Sequence, residues 1–251
     1  MRKQIAFIIL ATVIMIPRTA MGGDFLEDLQ MKARVGYSIG ATAPLGVPAT
    51  IRSIDSYRLT LSFMAGLDIA FPLKDKWGVM TGLHLENKAM NADVTTKAYR
   101  MELRKGNEVI EGLFTGHVKQ KVTEWMLTLP IMGTCQLGGK VQLKAGPYLS
   151  LLLNKDFSGI ASDGYLRQGD PTGPKIIIGA KEGEWATYDF SDEMRRFQFG
   201  MAAGVDWQVH KRLGVSADLS WGLTGIFKSS FKTVEQTLYP IYGTIGIYYK
   251  L

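Results

Sequence analysis

Thr237–Leu251 reads TLYPIYGTIGIYYKL. Counted back from the end, Leu251, Tyr249, Ile247, Ile245 and Gly243 fall on one face, and Lys250, Tyr248, Gly246, Thr244 and Tyr242 on the other. A period of two is the pattern of a β-strand, whose successive side chains point to opposite faces. One face is apolar; the other carries small, polar and charged groups. The fold turns on whether the rest of the chain repeats that division.

Seven earlier segments repeat it. Lys32–Ala43 sets Val35, Tyr37 and Ile39 against Arg34, Gly36 and Ser38. Leu59–Phe71 sets Leu59, Leu61, Phe63, Leu67 and Ile69 against Ser62, Gly66 and Asp68. Trp77–Ala89 sets Trp77, Val79, Leu83 and Leu85 against Gly82, His84, Glu86 and Lys88. Glu124–Leu137, Lys140–Leu153, Arg196–Val209 and Leu213–Leu223 follow the same rule, with Trp125, Leu143, Trp207 and Trp221 on their apolar faces and Thr128, Lys144, Asp206 and Asp218 opposite. The connections alternate. Those after the second, fourth and sixth strands are short; those after the others are long. Residues 90–123 keep some alternation around an RKGN turn at Arg104–Asn107 and read as a long hairpin extension. Residues 154–195 read as the longest irregular stretch, and Phe227–Gln236 as a loop.

The bounds agree with an exported membrane protein. Ile5–Ile16 is apolar but too short to span a bilayer, which needs about 20 residues. It follows Arg2 and Lys3 and precedes Ala20-Met21-Gly22, so residues 1–22 read as a cleaved signal peptide. The net charge of +6 falls to +3 once Arg2, Lys3 and Arg18 are removed, leaving 26 basic against 23 acidic residues. That balance gives no reason to expect nucleic acid as a partner. The single cysteine, Cys135, cannot form an internal disulfide.

Eight such strands define an all-β fold: an eight-stranded antiparallel up-and-down β-barrel. A soluble carrier barrel would turn the apolar face inward. Three features favour the inverse, transmembrane sense. The polar face is rich in Gly, Ser and Thr, which suit a narrow lumen. Trp77 and Trp207 sit near short turns and Trp125 and Trp221 near long loops, forming two interfacial girdles. The strands also exceed the roughly 9–11 residues needed to cross hydrocarbon. The barrel domain is then 23–251, with short periplasmic turns and long extracellular loops at about 90–123 and 154–195.

Thr244, Gly246, Tyr249 and Leu251 resemble the C-terminal β-signal of bacterial outer-membrane barrels, with Leu251 where an aromatic is commoner. The chain also resembles the PorT-like outer-membrane β-barrel family of the Bacteroidetes type. The likeness lies in FPLKDKWGVMTGLHLENKAM (71–90), WMLTLPIM (125–132), KAGPYLSLLL (144–153), FQFGMAAGVDW (197–207) and LSWGLTGIF (219–227). It implies an outer-membrane location, lipid contact, insertion by the barrel-assembly machinery, and a link to secretion in one namesake member.

The candidate site is the lumen face. Arg34, Asp68, His84, Glu86, Lys88, Lys144, Asp206 and Asp218 all point inward, with Lys250 at the rim. Such charges must be paired, so they read first as a salt-bridge network, and alternatively as an ion path. His84, His117 and His210 lie at three heights and cannot share a catalytic centre. No His or Cys spacing suggests a metal, and no cofactor motif is present. Asp189, Asp192 and Glu193 could meet calcium at a loop base, but read more simply as solvated. Trp185, Tyr188 and Phe190 read either as an aromatic contact patch or as packing over the barrel mouth. Three functions stay open: a non-enzymatic interaction or accessory protein acting through its extracellular loops, a narrow channel with a charged lumen, or a lipid- or lipopolysaccharide-modifying enzyme.

Overall fold

The computed structural model describes residues 29–46, 48–60, 62–234 and 236–251. The signal-peptide expectation at 1–22, and Leu61 of the second strand, lie outside them. Among the described residues there are eleven strands: β1 Gln30–Pro44, β2 Ile51–Leu59, β3 Ser62–Pro72, β4 Trp77–Lys105, β5 Glu108–Leu137, β6 Val141–Gln168, β7 Lys175–Ile178, β8 Ala186–Asp189, β9 Phe197–Gln208, β10 Leu213–Gly222 and β11 Leu238–Lys250. No helix among the described residues is long and apolar enough to cross a membrane, which says nothing of a β-barrel.

Eight of the eleven close a ring. Each neighbour in the order β1, β3, β4, β5, β6, β9, β10, β11 is antiparallel, and β11 returns to β1 from Lys32↔Lys250 to Pro44↔Leu238. Closure leaves no strand edge for lipid to meet. It depends on very close approach. Gly36 stands opposite Gly246 in the β1–β11 seam, and a Cβ on Gly246 would lie 2.5 Å from the Val35 carbonyl oxygen.

Lumen glycines are matched to large inward side chains on the neighbouring strand. Tyr148 pairs with Gly200 and Tyr248 with Gly214. A Cβ would meet those rings at 2.5 Å and 2.2 Å. A ring laid across a glycine fills the lumen and covers the exposed backbone. Small residues therefore do more than spare space: they receive their partners' side chains.

The wall is apolar outside. Val35, Ile131, Leu219, Ile245 and Ile247 are each more than half exposed, far more apolar surface than water tolerates in one band. Trp77 and Trp207 bound that band at the short-turn end. Trp221 and Trp125 bound it at the long-loop end, with Trp125 edge-on to Phe63 at 5.2 Å. From Trp77 to Asn87, the cross-strand partner of Trp125, β4 climbs roughly 33 Å at ~3.3 Å per residue. A tilt of ~40° makes that about 25 Å of height, the depth of the apolar band in outer-membrane barrels.

Two regions differ from the sequence expectation. The hairpin at 90–123 is present as the upper halves of β4 and β5, turning at Gly106. Residues 154–195, however, are not irregular. β6 runs on to Gln168, and β7 and β8 add to it. β8 also meets β4 at Arg104↔Thr187, so β4, β5, β6 and β8 form a second ring above the barrel. The stretch was unreadable as strand because its alternation breaks twice. A register shift near Leu153 swaps the buried face of β6, and Asp163, at φ 50°, swaps it again. β2 was equally hidden by shifts between Ile51 and Ser53 and between Ile54 and Ser56.

The extension has its own apolar core. Phe114, Val118, Val122, Leu166 and Ile178 are buried inside it, and Phe157 packs against Phe227 at 4.8 Å between centroids. Each large side chain so buried contributes about 1.5–3 kcal/mol.

Candidate functional site

The lumen assembles all eight charged residues expected there, in two connected tiers. In the lower tier Arg34 is central. Its Nε lies 2.5 Å from Asp68 Oδ2, and its terminal nitrogens lie 3.3 Å from Asp206 and 3.3 Å from Asp218. Lys144 bridges the same two carboxylates at 2.6 and 2.8 Å. His84 Nε2 reaches Asp68 Oδ1 at 2.7 Å. Strand register dictates this grouping. Arg34 stands opposite Gly66, Asp68 opposite Gly82 and Asp218 opposite Gly204, so each charge leans over a residue with no side chain.

The upper tier begins where His84 Nδ1 lies 3.9 Å from Glu86. Glu86 pairs with Lys88 at 3.1 Å, and the Lys88 ammonium lies over the rings of Tyr148 and Tyr242 at 5.5 and 5.4 Å. A cation held against ring faces is stabilised there without a second carboxylate. The Gln198 amide donates to the Glu124 carboxylate at 2.6 Å.

Sequence reasoning missed several of these groups. Lys32, which donates to Asp206 at 2.9 Å, and Glu124 are both buried. Tyr148, Tyr242 and Gln198 complete the packing. The signal was available: each shares the strand face of a residue already singled out. Lys250 meets Gln208 rather than a carboxylate.

The lumen is filled rather than open. The cavity beside His84, Glu86 and Lys88 measures about 50 Å³, the room of a water or two. Every lower-tier cation touches at least one carboxylate, as burial at this depth requires. The arrangement holds its charges in place through paired contacts. His84 lies in the barrel part of β4, His117 on the extension part of β5 and His210 in a short turn, as their separation in sequence implied.

Above the lumen, the aromatic residues read as a contact patch or as packing are mostly packing. Tyr188 and Phe190 are buried and stack at 5.2 Å, while Trp185 is half-buried. Burial holds the Tyr188 phenol above its ordinary pKa. Glu193 lies 3.5 Å from Lys228, and Asp189 accepts from the Ser191 backbone N–H, so these carboxylates have local uses. One ligand-like group does form across strands: oxygen and nitrogen atoms of Asp55, Asp93 and His117 lie within 4.8 Å of one another. No sequence spacing could reveal it, since β2, β4 and β5 each supply one member. The Ser53 and Thr95 hydroxyls both donate to Asp55 at 2.6 Å and hold its carboxyl below the usual range. Those hydroxyls and the His117 ring account for the cluster in an exposed position.

A closed ring with an apolar outer belt, aromatic girdles and a charge-paired interior defines a transmembrane β-barrel. The chain belongs to the family of outer membrane protein beta-barrel domains, which matches residues 20–228. It is an outer-membrane protein of the Gram-negative envelope. No curated protein matches the chain in sequence. Among solved structures it is similar to Ail, the attachment invasion locus protein of Yersinia pestis, at 10% identity, covering 89% of this chain and 99% of that one with a TM-score of 0.40. It is also similar to CarO2 of Acinetobacter baumannii at 9% identity, 88% and 99% coverage and a TM-score of 0.41. OprG of Pseudomonas aeruginosa gives 13% identity, 88% and 95% coverage and a TM-score of 0.32. At these levels none lends its ligand or role to this chain.

Proposed function

We propose that this protein is a non-enzymatic, non-conducting outer-membrane anchor that presents a folded β-domain for contact with other envelope or secretion components. The observation that carries the reading is the second ring: β4, β5, β6 and β8 continue past the apolar belt and enclose a core of their own. A hairpin needs no such core merely to reverse direction, and functional contacts concentrate on surfaces held by a rigid scaffold. The paired charges and the small cavity of about 50 Å³ beside them support the non-conducting part. The reading includes a cleaved signal peptide at 1–22, a barrel domain at 23–251, periplasmic short turns and extracellular long loops. It also includes the PorT-like branch of the family, on the residue likenesses in 71–90, 125–132 and 144–153. Thr244, Gly246, Tyr249 and Leu251 would address the barrel-assembly machinery during insertion.

The test is photocrosslinking in intact envelopes from Val109 and Ile177, both more than half exposed on the extension, with Trp207 as a lipid-facing control. Discrete protein adducts from the extension alone are expected. Capture of lipid only, from all three positions, would contradict the reading. Planar-bilayer recordings should show no resolved conductance steps; steps altered by His84→Ala would favour the channel instead.

A further inference from the structure

The ring of strands is not sealed along its whole height. Among the described residues β1 pairs with β3 as far as Ser38↔Ser62. Above that pair β1 continues to Pro44 with β11 as its partner among the described residues. β2, which carries the descending strand upward, pairs only with β4. β1 and β2 therefore splay apart, and among the described residues the Tyr57 hydroxyl donating to the Gly40 carbonyl is the hydrogen bond that crosses the gap.

The position of this slit follows from register. Trp221 pairs with Ile241, and Ile241 with Ala41. The slit thus opens beside the long-loop girdle, where lipid hydrocarbon gives way to the interface. Ile39 and Ile54, on its two sides, are 46% and 59% exposed.

Behind the slit lies a cavity of about 190 Å³. Met90, Val94, Met101 and Val118 form its inner wall, with Ala41 and Leu238 on the β1–β11 side. None of its described lining residues is charged. An engineered apolar cavity of about 150 Å³ in another protein stays dry and takes up benzene. This one is larger, mostly apolar with Thr42, Thr96, Gln120 and Gln236 also in its lining, and reached from the membrane boundary rather than sealed.

We propose that the slit between β1 and β2 admits a small uncharged apolar molecule, one aromatic ring or a short alkyl chain in size, into a binding site between the barrel mouth and the extension core. The ligand reaches the entrance from the membrane–water interface, since β2 pairs with the part of β4 above the girdle, from Met90 to Thr96. Tyr57 bridges the entrance, and the cavity floor over Met90 separates the site from the charged lumen below.

The chain's own methionines test this. In nanodiscs, with methyl-¹³C methionine, toluene is the probe. Met90 and Met101 line the cavity, Met80 is buried in the lumen, and Met201 faces outward at 44% exposure. Saturable shifts are expected at Met90 and Met101, a linear drift at Met201 and none at Met80. Ala92→Leu should weaken the saturable response at least tenfold by filling space, and Ala41→Leu should do the same from the opposite wall if the first variant does not fold. Met90 and Met101 drifting linearly with Met201, staying still, or responding alike in wild type and filled variants would each overturn the proposal.

Discussion

The two halves of β5 make the same strand behave in opposite ways. From Glu124 to Thr134 the even-numbered residues point inward and include Glu124, Thr128 and Thr134, while Trp125, Leu129 and Ile131 face out. From Ile110 to Val122 the even-numbered residues still point inward, but there they include Ile110, Phe114, Val118 and Val122, and the exposed face carries Glu111, Lys119 and Lys121. The inward parity of the strand does not change. What changes is the solvent: lipid around the lower half, water around the upper. Polarity inverts at Thr123, level with Trp125 and its partner Asn154. The same chain therefore builds an inside-out barrel and a conventional apolar core on one continuous sheet.

Substitutions break this comparison in graded ways. Asp206→Asn leaves Lys32, Arg34 and Lys144 sharing too little negative charge in a buried site, and should cost about 3–5 kcal/mol, read as lost folding yield in lipid. Phe114→Ala should cost about 3–5 kcal/mol as well, but confined to the extension: protease should cut within 108–122 while the barrel stays folded. Leu67→Arg places a charge on the lipid face and should cost about 2–4 kcal/mol at the bilayer midplane, less towards either girdle; wild-type folding yield would count against the assigned outer face. Lys119→Leu changes the outward face of β5 above the inversion and should leave stability in lipid indistinguishable from wild type.

The barrel was legible because strand alternation recurs in eight segments, and because tryptophans mark both ends. The charged lumen was legible for the same reason: His84, Glu86 and Lys88 recur at spacing two. Lys32 and Glu124 obey the same rule, each as the first residue of its segment. The second ring was hidden by physics rather than by oversight. Ala98, at φ 53°, and the shift between Thr96 and Tyr99 turn β4 over, so that Met101 and Leu103 are buried where Met90 had set the opposite parity. Period-two reading fails wherever a bulge adds a residue. Nor could linear spacing show that Thr187 would meet Arg104, or that β1 and β2 would part above Ser38.

A cysteine scan along β5 tests the inversion most directly. Single spin labels on the native Cys135 and, in a Cys135→Ser background, at residues 109, 111, 113, 119, 121, 125, 127, 129 and 131 share one face of one strand. Their relaxation by oxygen, which concentrates in lipid, is compared with that by a water-soluble nickel complex. The account predicts water access from 109 to 121, lipid access from 125 to 135, and a switch at Thr123. One environment along the entire face, or a switch well away from Trp125, would contradict it.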